Sequence, residues 1–168
     1  MQIKQMHDLR ERVLDLLEYD PADGSFTWVH PTHPRIKAGQ KAGSVGSGNN
    51  RYVRIKVDGV TYYAHRLAFL VMEGWMPEEV DHEDLNRSNN AWANLRPATR
   101  VQQNQNRPVQ SRNKLGIKGV SFEGGRYRAK IRAGGKSIHL GSFTTEQAAI
   151  EAYAAASRQY HGEFGRAA

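Results

Sequence analysis

Three rhythms of apolar and polar positions follow one another along the chain. Met6, Leu9, Val13, Leu16 and Leu17 recur at helical spacing, which predicts an amphipathic helix over residues 4–18. The turn residues DPADG (20–24) end it. Ser25–His30 reads as a short strand with Phe26 and Trp28 on one face, and the Gly/Pro/Ser-rich stretch 31–50 as a loop with room for one short strand. Tyr52–Val57 and Thr61–Ala64 flank Asp58-Gly59, a hairpin signal. His65–Glu73 predicts a short apolar helix stopped near Gly74. Two strand-like pieces around an Asn-rich loop occupy 80–100, and a further helix begins at Val101–Asn106. RPVQSRNKLGI (107–117) is polar, basic and without periodicity, a linker.

Beyond the linker the period-two pattern is clearer. Lys118–Phe122, Arg126–Arg132 and Lys136–Leu140 read as three strands joined by glycine turns. Thr144 and Gln147 form a capping-box pair that opens a helix to about His161, with Gly162 as its stop. Ala149, Ala152, Tyr153, Ala156 and Tyr160 share one face of that helix. The segment is therefore expected to be a three-stranded antiparallel sheet with one helix across it. Strand parity turns Tyr127, Ala129 and Ile131 toward the helix and leaves Arg126, Arg128, Lys130 and Arg132 on the open face, joined by Ser137 and His139.

Charge sharpens that contrast. The 168 residues hold 24 Lys+Arg and 17 Asp+Glu, a net charge of +7. Residues 1–107 carry 14 basic and 13 acidic side chains; residues 108–168 carry 10 and 4. Four like charges on one sheet face repel, and a phosphate backbone relieves that cost, so a nucleic acid is favoured over a merely solvated face. With no cysteine in the chain, disulfides, cysteine zinc sites and thiol catalysis are excluded. A metal would fall to His, Asp, Glu, Asn or Gln, a set suited to a hard divalent ion. No stretch reaches the ~18 apolar residues of a membrane span. The opening MQIKQMHDLRERV lacks an apolar signal core, so secretion is not expected.

The run VDHEDLNRSNNAWANLRPATRVQQNQN (80–106) gathers candidate chemistry. Phosphodiester hydrolysis needs a base for water and a metal at the phosphate. An imidazole beside a carboxylate, with an amide oxygen from the following helix, would supply both. Asp-His pairs are common, however, and Asn clusters form loops. On Asp81-His82 alone the structural reading prevails.

Two resemblances change the balance. GIKGVSFEGGRYRAKIRAGGKSIHLGSFTTEQAAIEAYAAASRQYHGEF (116–164) closely resembles the Apetala/ethylene-response-factor type of DNA-binding domain, in the version found in phage and bacterial endonucleases. That family lays its sheet in the DNA major groove, which implies Ser121, Arg126, Arg128, Lys130, Arg132, Ser137 and His139 as contacts. Plant members carry arginine at the position of Ser121 and tryptophan at that of His139, so base preference does not transfer. AHRLAF…MPEEVDHEDLNRSNNAWANLRPAT (64–99) strongly resembles HNH endonucleases, the ββα-metal nuclease family that includes phage homing enzymes.

The second resemblance implies His82 as general base, Asp81 as a metal ligand, and Asn94 as the residue bracing the loop that aims His82. The third motif position, nine residues after Asn94, should hold an Asn ligand but holds Gln103, followed by Asn104. The alternatives are Gln103 as ligand, Asn104 as ligand, or an activity weakened or lost. His65-Arg66 matches a recurrent family pair, with Arg66 a phosphate contact or part of the core; Arg112 and Lys114 of the linker would track the DNA backbone. The expected fold is α+β: a ββα-metal nuclease domain over 1–106, the linker 107–117, and the small sheet-and-helix domain over 118–168. The expected protein is a monomeric, phage-type endonuclease. It would nick or cut double-stranded DNA with one Mg2+ or Mn2+ per site, in the cytoplasm of an infected bacterium, with no membrane and no obligate protein partner. The alternative is a sequence-specific DNA-binding protein whose HNH domain has decayed.

Overall fold

The apolar stripe of the first helix runs only to Leu16. The computed structural model describes residues 3–48, 51–107, 109, 113 and 115–165. They pack as two units, 1–99 and 100–168. In the first, α1 (Ile3–Leu16) gives way at once to β1 (Leu17–Tyr19). The expected helix over 4–18 is thus two residues too long. Strand pairing takes over its last turn: Leu17, Glu18 and Tyr19 pair with Trp28, Thr27 and Phe26 of β2 (Phe26–Trp28), and the Leu16 carbonyl accepts from the Val29 amide at 2.9 Å. Phe26 and Trp28 are both buried, as their shared parity requires.

A second sheet has the order β3 (Ser44–Val45), β4 (Val53–Val57), β5 (Val60–Tyr63), all antiparallel. Its β4–β5 turn places Asp58 at φ 45° and Gly59 at φ 86°, the two positive values a two-residue hairpin of native twist needs. β5 runs directly into α2 (Ala64–Glu73), which buries Leu67, Ala68, Phe69 and Leu70 against Val13, Leu16, Ile55 and Val57. Each of the larger of these side chains contributes roughly 1.5–3 kcal/mol of transfer free energy. Gly74, at φ 78°, closes α2 with its amide on the Leu70 carbonyl. Arg10 reaches from α1 to donate to the Leu70 and Val71 carbonyls, each at 3.0 Å.

The last sheet of this unit is the pair β6 (Glu79–His82) and β7 (Leu95–Ala98). Its register sets Asp81 opposite Arg96 and His82 opposite Leu95. Asn94 ends a 3-10 turn, Trp92–Asn94, and the second strand begins at Leu95.

The second unit starts with α3 (Arg100–Asn106), a helix expected to close the N-terminal domain. Within the unit the Lys118 ammonium donates to the carbonyls of Gln105 and Arg107. Strands β8 (Val120–Glu123), β9 (Arg126–Ala133) and β10 (Lys136–Phe143) form an antiparallel sheet with β9 central. A bulge at Leu140 shifts the register, so β10 runs three residues past its expected end. Helix α4 (Glu146–His161) packs on the sheet, and Ala129, Ile131, Ala149, Tyr153 and Ala156 make the core. Further details differ from expectation: β8 begins at Val120, two residues after Lys118. The N-cap is Thr145, whose hydroxyl accepts from the Ala148 amide, rather than Thr144. Tyr160 is exposed, and Ser157 takes the buried place beside Ala156. Gly119 meets the Tyr153 ring so closely that a Cβ would stand 2.1 Å from it. Among the described residues no helix is long and apolar enough to cross a membrane.

Candidate active site

Antiparallel pairing of β6 with β7 brings the chemistry of the first unit together. Asp81 and His82 end β6, and both are buried. Arg96, the cross-strand partner of Asp81, donates to its Oδ2 from Nε at 2.9 Å and from Nη2 at 2.8 Å. The pair is largely desolvated, so removing Arg96 would deprive a buried carboxylate of this ion pair.

His82 faces an amide. Its Nε2 lies 3.2 Å from Asn90 Oδ1, and Asn90 is among the most buried side chains of the chain. Burial holds the His82 ring below its ordinary basicity; the Asn90 bond and the charges of Asp84 and Asp81 oppose this without reversing it, and Arg87 adds to it. Burial thus favours the neutral imidazole, the form able to accept a proton. Its walls are rings: His65 meets it edge-on at 5.2 Å and Tyr52 lies 5.8 Å away, with the Arg87 guanidinium 5.0 Å over the Tyr52 ring. His65, stacked on Tyr63, is pushed down to about 3 by burial, helped by His82 and Arg66.

Asn94 ties the loop between the two strands. Its amide nitrogen donates to Asp84 Oδ1 at 2.9 Å and to the Asn89 carbonyl at 2.8 Å, and its oxygen accepts from the Asp84 amide at 3.0 Å. The Asp84 carboxyl, although burial opposes it, is held below the usual carboxylate range by hydrogen bonds from Asn89, the Asn86 amide and Asn94.

The remaining sequence-derived candidates divide between the units. Arg66 sits in the first turn of α2, partly buried. Gln103, partly buried, and Asn104, exposed, lie on α3 in the second unit. Arg126, Arg128, Lys130 and Arg132 line one exposed face of β9, flanked by Ser121 on β8 and by Ser137 and His139 on β10. Arg128 is paired with Glu123 at 3.0 Å. Arg112 and Lys114 lie outside the described residues. Among the described residues no three His, Asp or Glu side chains form a metal-holding group. Sequence reasoning passed over Asn90, Arg96 and Asp84. Arg96 is recognisable only once the register is known, and the Asn89-Asn90 pair read as loop chemistry.

Residues 62–105 match the HNH endonuclease family. The chain carries an HNH domain. Asp81, His82, Asn90, Asn94 and Arg96 all fall inside the matched stretch. The chain is also 34% identical over 103 residues to a protein of Acanthamoeba polyphaga mimivirus described as an uncharacterized HNH endonuclease, across 60% of this chain and 54% of that one. It thus spans about half the length of that curated relative. No solved structure matches the chain. Beyond the HNH domain, residues 106–168 fall outside the family match.

Proposed function

We propose that the protein is a metal-dependent endonuclease that hydrolyses phosphodiester bonds of double-stranded DNA. The observation that carries the reading is the buried His82 beside Asp81, its Nε2 against Asn90 Oδ1, within the stretch that matches the HNH family. In this reading His82 takes the proton of the attacking water, and removing that general base removes a factor of ~10²–10⁴. Asn94, through Asp84 and the Asn89 carbonyl, holds the loop that carries the site. Arg96 holds the Asp81 carboxylate in one orientation.

The donors fit a hard divalent ion, Mg2+ or Mn2+. Asp81 offers a carboxylate in a fixed orientation, and the chain has no thiolate to favour a softer metal; the motif resemblance implies an amide oxygen of Gln103 or Asn104 as a further ligand. When bound, such an ion supplies Lewis-acid charge at the scissile phosphate. The sequence resemblance of residues 116–164 to Apetala-type domains implies that the exposed face of β9 is a DNA-docking surface. With Ser121, Ser137 and His139 it would dock the enzyme, while Arg66, Arg112 and Lys114 contact backbone phosphates. The phage-host cytoplasm and a monomeric state belong to the same reading.

Gln103, at the position where the motif carries asparagine, favours the second reading, a DNA-binding protein with an inactive nuclease domain. Incubation with supercoiled plasmid separates the two. Nicked or linear product that needs Mg2+ or Mn2+ and disappears with chelator supports the nuclease; binding without cleavage in either metal supports the alternative.

A further inference from the structure

We infer that Asn90 is the positioning residue of His82, and that the N-terminal turn around Gly24, outside the HNH match, holds Asn90 in place. The inference rests on the reading of His82 as the general base.

The orientation of the Asn90 amide is set by its two partners. Its nitrogen faces the Ser88 carbonyl at 3.4 Å, which accepts only, so its oxygen is turned to the His82 ring at 3.2 Å. An acceptor opposite Nε2 requires that nitrogen to carry the hydrogen. The lone pair of the neutral ring then lies on Nδ1, so Nδ1 is the proton-accepting atom. The buried amide thereby favours the Nε2–H tautomer and helps to orient the ring.

Asn90 is itself held from the far end of the unit. Its carbonyl accepts the Tyr19 hydroxyl at 2.8 Å, across 71 residues of sequence. Gly24, at φ 74°, lies against the same peptide: a Cβ there would stand 2.0 Å from the Asn90 carbonyl carbon and 2.5 Å from its oxygen. The Pro21 carbonyl accepts the Trp92 amide at 2.9 Å, two residues beyond. Three contacts from the segment 19–24 therefore converge on residues 90–92, and Tyr19 is kept in place by its ring contact with Phe26 at 4.8 Å. A loop that served only to connect β6 and β7 would have no need of an acceptor aimed at the ring.

The test uses the full-length chain and two readouts. Long-range ¹⁵N correlation of the histidine rings, with the His82 signal assigned by its loss in His82→Gln, reads the tautomer; plasmid nicking reads the rate. The wild-type ring is expected as Nε2–H. Asn90→Leu fills the volume without an acceptor. It should raise the Nδ1–H population and slow nicking about 10²-fold, as misplacement of a catalytic group does. Asn90→Asp restores an acceptor and should return both the tautomer and most of the rate, a rescue that packing alone does not produce. Tyr19→Phe, which deletes only the hydroxyl, should move both readouts the same way by a smaller step, and serves if Asn90→Leu fails to fold. An Nδ1–H ring in the wild type, or a tautomer indifferent to Asn90→Leu, overturns the inference. A tautomer that responds while His82→Ala still nicks at full rate overturns the general-base reading and leaves the Asn90 contact standing.

Discussion

Gly24 and Asn90, 66 positions apart in sequence, are packed backbone to backbone, with no room for a single methyl between them. Gly24→Ala therefore incurs two costs, the left-handed φ of 74° and a clash with a peptide that cannot swing aside. The first is worth about 1 kcal/mol. With the second, the loss should reach about 3 kcal/mol or more, in the range of the severe single substitutions. Gly39, at φ 81° with nothing within 4 Å, is the control: Gly39→Ala should show only the conformational part. Urea denaturation of the two variants measures the difference, and equal losses would mean that the Gly24 contact is not tight.

His65 makes the fold acid-sensitive. Its folded pKa is depressed to about 3, so as pH falls below the ordinary 6.5 the unfolded chain takes up a proton that the folded chain does not. The stabilisation is complete above pH 6.5 and declines down to about 3, by up to about 1.4 kcal/mol per pH unit. His82 is displaced in the same direction and adds to the effect. His65→Phe keeps a ring beside Tyr63 and Tyr52 and removes the titration. Thermal melts at pH 7.5 and pH 5 should show a smaller drop for that variant than for the wild type; equal drops would place the acid sensitivity elsewhere.

Docking is expected to reside in the second unit. Residues 100–168, rather than a fragment starting in the linker, are the piece to express, because Lys118 is bonded to the carbonyls of Gln105 and Arg107. If roughly five phosphates are neutralised, log Kd against log salt should have a slope of magnitude about 4 to 5. Lys130→Glu combined with Arg132→Glu should flatten that slope and weaken binding. Salt-independent binding, or none, would give the basic sheet another role.

The departure at the third motif position is decided by two alanine variants. Neighbouring helix positions point ~100° apart, so Gln103 and Asn104 cannot address one metal equally. If Gln103 is the ligand, Gln103→Ala loses metal-dependent cleavage, Asn104→Ala keeps most of it, and Gln103→Asn keeps or raises it. The reverse pattern moves the ligand to Asn104. Full activity in both removes α3 from the metal site.

The local elements could be read from the chain because local chemistry decides them. Asp58-Gly59 sets its hairpin by two positive φ values, Gly74 stops α2, and the parity of RYRAKIR sends Ala129 and Ile131 inward. What could not be read depends on partners distant in sequence. The end of α1 at Leu16 is set by pairing with β2, the Arg96–Asp81 ion pair by the β6–β7 register, and the role of Asn90 by Tyr19 and Gly24. The capping residue moved by one, from Thr144 to Thr145, because both threonines suit the position and only the path of β10 past its bulge chooses between them. Asp81, His82 and Asn94 are singled out as candidates by motif resemblance, not by spacing, since an Asp-His pair in an Asn-rich loop has an equally good structural reading.

The most direct measurement is nicking of supercoiled plasmid by His82→Ala in Mg2+, alongside its affinity for duplex DNA. Because the imidazole acts on water and not on docking, cleavage should fall by ~10²–10⁴-fold while affinity stays near that of the wild type. Cleavage at the wild-type rate by a folded His82→Ala protein would contradict the assignment of His82 as the base and, with it, the proposed mechanism.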